Sequence, residues 1–249
     1  MKTPKLRTVE KYKPPYQLNR FPKNIPIDLA KEVVYLLATR NTPILEGSDW
    51  EQIFARLIGG RWKPTNVGLD DVLLEQTAWS AKTIKSATPS KAKKVRLISG
   101  RNSPTFSFGQ DQILSQQPEF IAEMVLKIWN ERVSSIRAHY NHLRTIVLLK
   151  SDDLLELAMF EYDTVMYDYT QFKWLWNKNG NLEGYCNITN SKKFTWQPHG
   201  SQFTITENVP DDRLAIRLKQ PAFLEKNIVL DGLGFNDSWV TVLNKRSQL

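Results

Sequence analysis

The run Gly68-Leu69-Asp70-Asp71-Val72-Leu73-Leu74-Glu75-Gln76-Thr77-Ala78-Trp79-Ser80-Ala81-Lys82-Thr83 brings carboxylates, a hydroxyl and a lysine onto what reads as a tight hairpin. With the turn centred on Gln76, Asp70 lies opposite Lys82 and Val72 opposite Ser80. Residues paired directly across antiparallel strands share a face of the sheet, so Asp70, Ser80 and Lys82 converge. A turn one residue longer puts Asp71 in the place of Asp70, and the residues alone leave that register open. A carboxylate in this position can bind a hard cation such as Mg²⁺. The cation polarises a phosphodiester and lowers the pKa of a bound water. A lysine beside it can orient that water or stabilise charge on a pentavalent phosphorane. The competing reading is a cross-strand surface ion pair worth ~0–1 kcal/mol.

The sequence around this hairpin is one-signed. From Gln76 to Gln110 there is no Asp or Glu, while Lys82, Lys85, Lys91, Lys93, Lys94, Arg96 and Arg101 all fall there. Such a run suits a phosphate backbone, which rewards cationic contacts through counterion release. Gly100-Arg101-Asn102-Ser103-Pro104 adds Arg101 and Asn102, the residue types that pair bidentately with guanine and adenine edges. The same cluster is also a turn signal. Further on, Gln197, His199 and Ser201 alternate with Trp196, Pro198 and Gly200. In an extended segment they would present three hydrogen-bonding side chains on one face, with Gln202 extending it; Pro198 and Gly200 argue equally for a bend.

The elements that must position these residues read as follows. A helix is expected from Asp28 as cap to about Thr39, and a second from a Ser48 or Asp49 cap to Gly59-Gly60, with Trp50, Ile53, Phe54 and Leu57 as its apolar stripe. Residues 68–74 and 78–84 read as the two hairpin strands and 95–99 as a third. A long helix from Pro118 to about Tyr140 buries Ile121, Met124, Val125, Ile128, Val133 and Ile136. The compact strand Thr145–Leu149 follows, with further strands near 154–165, 194–206 and 213–218. The aromatics Tyr167, Tyr169, Phe172, Trp174 and Trp176 read as core or sheet packing.

Composition bounds the partners. The 249 residues are 41% hydrophobic and carry 34 Lys+Arg against 26 Asp+Glu, a net charge of +8, which directs attention to a polyanion. No apolar run approaches the ~20 residues of a membrane helix. The N-terminal segment is rich in Lys and Pro without an apolar stretch, so a cytoplasmic chain is expected. The Lys- and Pro-rich residues 1–26 suit either a DNA-backbone arm or a solvated segment. The single Cys186 excludes an intramolecular disulfide and a multi-Cys zinc site. His139 and His142 lack the further ligands that a metal pair needs, and neither a P-loop nor a Gly-x-Ser-x-Gly elbow is present.

The α-β-β-β-α-β order over residues 46–150, with Asp opening one strand and Lys on the next, resembles the PD-(D/E)XK nuclease superfamily, whose fold is a mixed sheet flanked by helices. Leu69 stands where the loose motif has Pro, and Ser80 where the family usually has an acid two residues before the lysine. Ser80-Ala81-Lys82 looks like the variant of some restriction enzymes that import the missing carboxylate from a helix. Glu51, Glu46, Glu75 and Asp111 are the candidates for that carboxylate, and Glu51 is preferred because its helix can aim it at the site. The resemblance implies an α/β chain of one nuclease domain, residues 1–249. It would comprise an N-terminal arm and helix (1–45), a catalytic core (46–150) and a sheet extension with specificity elements (151–249). It implies a Type II restriction endonuclease that hydrolyses double-stranded DNA with Mg²⁺, usually as a homodimer. Asp70 and Glu51 would hold the metal, Lys82 would activate or position the water, and Ser80 would occupy the vacated acid position. The alternatives are a DNA-binding protein that keeps the fold without the chemistry, and an RNA-binding protein.

Overall fold

A computed structural model describes residues 12–40, 42–64 and 68–243. The N-terminal basic residues Lys2, Lys5, Arg7 and Lys11, read as a possible backbone arm, lie outside the described residues. In chain order the elements are α1 (Ile25–Thr39), α2 (Gly47–Ile58), β1 (Arg61–Trp62), β2 (Val72–Leu74), β3 (Thr77–Lys85), β4 (Lys94–Arg101), α3 (Pro104–Phe108), α4 (Pro118–Arg137), β5 (His142–Lys150), β6 (Glu156–Asp163), β7 (Phe172–Trp176), β8 (Leu182–Cys186), β9 (Lys192–Gln197), β10 (Gln202–Asn208), β11 (Leu214–Arg217) and α5 (Lys226–Gly232). They make a mixed α/β structure with two sheets, ordered β1-β2-β3-β5-β6-β11 and β4-β10-β9-β8-β7. No helix among the described residues is long and apolar enough to cross a membrane.

Local chemistry accounts for the helices. In α1, Pro26 occupies the first turn, where a missing amide costs nothing, and Asp28 sits inside the helix rather than capping it. The cap position falls to Asn24, whose Nδ2 donates to Asp28 Oδ2 at 2.7 Å. The α2 helix begins one residue before the Ser48 or Asp49 expected as its cap: Glu46 is the cap, and the Asp49 carboxylate accepts the Glu46 amide at 2.8 Å. Gly59 ends it in a left-handed conformation at φ 67°. The long helix stands where its apolar spacing predicts, with Ile121, Val125, Trp129 and Val133 buried.

The first sheet is the partition of the molecule. On one face Trp79, Ala81, Ile146, Leu148, Leu157 and Met159 pack against α1 and α2 through Leu29, Val33, Trp50 and Phe54. On the other, Leu73, Ala78 and Leu143 share a core with α4 and with Trp174, Phe194, Trp196 and Phe203 of the second sheet. The aromatic third quarter is core, as its composition predicts. Strands β3 and β5 are parallel, joined by the crossover that carries α4, whereas β2 pairs antiparallel with both β1 and β3 and β6 antiparallel with β5.

Three expectations are corrected here. The hairpin pairs Val72 with Trp79, Leu73 with Ala78 and Leu74 with Thr77, so its turn is Glu75-Gln76, shorter than either register considered, with Glu75 at φ 50°. The strand expected at 95–99 stands as β4, but its place in the α-β-β-β-α-β core is corrected, since it joins β10 in the second sheet. The 194–206 segment is not one extended strand. It folds into β9 and β10 around a turn at His199–Ser201, where Gly200 (φ 81°) and Ser201 (φ 54°) are left-handed.

The N-terminal segment is tied down by a buried polar cluster. Glu161 of β6 accepts from Tyr16 Oη (2.6 Å), Trp79 Nε1 (2.7 Å) and Arg144 Nη1 (3.0 Å). Beyond the rungs that β11 supplies to β6, Asn19 takes over: its Oδ1 accepts the Glu161 amide and its Nδ2 donates to the Glu161 carbonyl. A side-chain amide thus covers backbone groups that an open sheet edge would expose.

Candidate functional site

The short turn decides which aspartate faces Ser80. Continuing the β2–β3 pairing by one residue puts Asp71 opposite Ser80, and Lys82 follows two residues on, on the same face. The carboxylate is held accordingly: Asp71 Oδ2 accepts the Ala81 amide at 2.8 Å and, more weakly, the Ser80 hydroxyl at 3.3 Å. The amide of Ala81 lies just past the last β2–β3 rung, so Asp71 replaces the missing strand partner. Asp70, the expected metal ligand, sits next door in a different arrangement. Its Oδ2 is 2.5 Å from Lys63 Nζ, in an ion pair whose carboxylate is buried.

Glu51, on α2, lies near enough to Asp71 for its charge to act on that carboxylate. Its Oε2 accepts the indole N–H of Trp62 at 2.9 Å, which fixes the side chain over β1. Burial pushes the Asp71 carboxyl above the usual carboxylate range. The Lys82 charge and the Ala81 amide oppose that rise, the Glu51 charge adds to it, and the Ser80 hydroxyl opposes it. Two carboxylates and a lysine therefore act on one another electrostatically, which is the arrangement that a dication between the carboxylates would relieve. Of the other acids considered, Glu46 caps α2, Glu75 occupies the hairpin turn, and exposed Asp111 lies between α3 and α4.

Asp71 and Glu51 are the carboxylates on which an open Mg²⁺ site would draw. Among the described residues no hydrogen bond reaches Asp71 Oδ1 or Glu51 Oε1, so each offers an oxygen. Mg²⁺ commonly takes one or two carboxylates and fills the remaining positions with water and phosphate oxygens. No cluster of three or more His, Cys, Asp or Glu side chains suited to a metal exists among the described residues, so a closed all-protein cage is not what they build.

The residues read as DNA contacts divide. Lys91, Lys93, Lys94 and Arg96 are exposed along the approach to β4 and on its outward side, where Val95 and Leu97 point inward. Lys85 is exposed at the far end of β3 and pairs with Asp152 at 3.1 Å. Arg101 ends β4 and pairs through the sheet with Gln202, which pairs in turn with Gln197. Arg101, Gln202 and Gln197 thus form one cross-strand row. His199 and Ser201 leave that row for the turn. Asn102 is corrected outright: it is fully buried, donates to the Val125 carbonyl at 2.9 Å and accepts the Trp196 indole N–H on its own carbonyl at 2.7 Å. It fastens β4 to α4 and β9 and has no access to a base edge.

A cleft of about 510 Å³ opens beside Lys82, between the two sheets, with Gly68, Ser99, Gly100, Arg101 and Arg132 among its lining. Arg132, on α4, was not singled out from the sequence. Its helical spacing from Val125 and Trp129, both buried, is the signal that could have found it, because it places a guanidinium at the rim of an apolar face. Comparison with protein-family models, with curated proteins and with solved structures finds no match to this chain.

Proposed function

We propose that this chain is a Mg²⁺-dependent endodeoxyribonuclease of the PD-(D/E)XK type, cutting double-stranded DNA at specific sequences as a Type II restriction enzyme does. The observation that carries this reading is the Asp71 carboxylate held on the Ser80-Ala81 segment of β3, within electrostatic reach of Lys82 and Glu51. A second support is the path α2-β1-β2-β3-α4-β5, an α-β-β-β-α-β order with β4 and α3 inserted between β3 and α4, whose last two strands are parallel; β1 supplies the strand that 95–99 does not. Asp71 and Glu51 would hold the metal. When bound, Mg²⁺ supplies Lewis-acid polarisation of the phosphodiester and a more acidic water. Lys82 stabilises negative charge developing on the phosphoryl oxygens and orients the attacking water. Ser80 and the Ala81 amide keep the Asp71 carboxylate in one orientation, so less reorganisation is needed when substrate arrives. The exposed cations of β4 and the Arg101–Gln202–Gln197 row are the surfaces offered to backbone and bases.

A second copy of the chain completes the reading, because two active sites are needed to cut two strands at once. Residues 219–243 contain no buried side chain, yet they carry Phe223, Ile228, Leu233, Phe235, Trp239, Val242 and Leu243. Seven large apolar side chains left exposed in one segment are the kind of surface that marks an interaction site.

The rival is a DNA-binding protein without chemistry, favoured by the serine at position 80 and by the pair, rather than trio, of carboxylates. Conversion of supercoiled plasmid by the wild type and by Asp71→Ala, with Mg²⁺ and with a chelator, separates the two. Nicking by the wild type that requires both the metal and Asp71 is expected. Plasmid binding without any nicking would establish the rival.

A further inference from the structure

We propose that the cleft beside Lys82 is a phosphate site, in which Arg132 and Arg101 grip a DNA backbone phosphate next to the one that is cut. This rests on the nuclease reading and adds Arg132 to it as a positioning residue.

The cleft has the size of a small-ligand pocket, about 510 Å³, and its lining has no carboxylate. It does contain Lys82, Arg101 and Arg132, contributed by β3, β4 and α4. Lys82 has the Asp71 carboxylate within electrostatic reach, whereas Arg101 and Arg132 share the concave surface with no carboxylate among its described lining residues. Arg132 is the most confined. Its Nη2 donates to the Arg101 carbonyl at 2.5 Å, and no carboxylate among the described residues forms an ion pair with it. A guanidinium has five N–H donors in a planar fork matched to two oxygens of a phosphate. One backbone contact leaves most of that capacity unused. Partial burial also pulls its proton affinity below the usual arginine level, a penalty that an oxyanion in the cleft would offset.

The backbone beside it is shaped around the guanidinium. Gly100 has φ 114°, a conformation that L side chains rarely adopt, and a Cβ built there would lie 2.0 Å from Arg132 Nη1. The end of β4 is therefore open at the place where the guanidinium enters. The Arg132–Arg101 hydrogen bond also ties this site to the Arg101–Gln202–Gln197 row, so a phosphate held here would set the distance between the surface that meets bases and the surface that meets the scissile bond. Phosphate contacts fix register and base contacts supply specificity.

The test measures binding and cleavage separately on a DNA duplex that the wild type cuts, or on bulk duplex DNA if it cuts none. Removing one phosphate contact lowers the slope of log K against log salt by about 0.9 on duplex DNA. Arg132→Gln, measured without metal, is expected to show that loss, and Arg132→Lys to regain the slope because the charge remains. Single-turnover cleavage at saturating DNA is expected to fall tenfold or more in both, since a point charge does not reproduce the fork's alignment. Gly100→Ala should mimic Arg132→Gln by displacing the guanidinium. Thermal unfolding of each variant checks folding; if Arg132→Gln does not fold, Arg132→Lys and Gly100→Ala carry the test through the cleavage rate. An unchanged slope and an unchanged rate in folded variants would overturn the proposal while leaving the nuclease reading intact. A wild type that binds DNA but never cuts, with the slope loss still present in Arg132→Gln, would sink the nuclease reading and keep the phosphate site. A wild type without salt-dependent DNA binding would sink both. Inorganic phosphate is the remaining probe: if it stabilises the wild type and not Arg132→Gln, while the DNA slopes are identical, the cleft belongs to a free anion and the backbone assignment is wrong.

Discussion

Two adjacent aspartates have opposite fates within one residue of backbone. Asp71 is held by the Ala81 amide and Ser80, and Asp70 by Lys63. The residue types and their spacing could be read from the sequence; the choice between them could not, because a hairpin register depends on its turn. Glu75-Gln76 lacks the Asn-Gly or Asp-Gly pair that announces a two-residue turn, and Glu75 nevertheless adopts φ 50°. Asp71→Ala is therefore expected to eliminate Mg²⁺-dependent cleavage while DNA affinity without metal stays the same or rises, since an anion near the phosphates is removed. Asp70→Ala is expected to retain cleavage, with a modest loss of thermal stability from the broken Lys63 pair. The reverse pattern in plasmid assays would restore the register centred on Gln76, in which Asp70 faces Lys82. Asn102 teaches the complementary lesson. Its type suits adenine, but burial against Val125 and Trp196 is decided by tertiary packing that no local pattern encodes.

Elements were legible where their periodicity was strong and opaque where partners lay far along the chain. The apolar spacing of α2 and α4 is carried within each helix, so it can be read locally. The two-residue β1 has no period to read, and the alternation of β4 shows a strand without showing which sheet takes it. The link between sheets and turns has its own test in Glu156 of β6. The amide and hydroxyl of Ser90, and then Arg217 of β11, hold its carboxyl down at about 2. The folded pKa lies below the unfolded value of 4.5, so the contribution to stability is present above that value and is lost as pH falls toward about 2. Melting temperatures of wild type and Glu156→Gln should differ at neutral pH and converge on acidification; a gap independent of pH would contradict the assignment. Buried Arg144 offers a larger effect. Arg144→Met would leave Glu161 ionisable and enclosed with only neutral donors, and breaking such a pair typically costs ~3–5 kcal/mol. Chemical denaturation would measure it, and a loss below about 1 kcal/mol would mean that water reaches Glu161.

At the scale of the molecule, the sheet separates a helical layer from a second sheet, and the candidate site lies at the hairpin end of that partition, beside the cleft. Basic composition pointed to a polyanion, and the structure distributes the cations read from the sequence over the hairpin, β4 and the cleft rather than over one helix. The apolar segment 219–243 is a surface that no sequence period announced, because none of its side chains is buried. Leu233→Glu combined with Trp239→Glu is expected to shift the sedimenting species from dimer to monomer with little change in the melting of the body. An unaltered mass would assign that segment another role. The most direct measurement for the catalytic centre is digestion of a long, sequenced DNA with Mg²⁺, followed by mapping of the ends, for the wild type, Asp70→Ala and Asp71→Ala in parallel. Discrete ends sharing one short sequence are expected from the wild type and Asp70→Ala, and intact DNA from Asp71→Ala. Identical discrete ends from all three, or intact DNA from the wild type across divalent metals, would contradict an active site built on Asp71, Glu51 and Lys82.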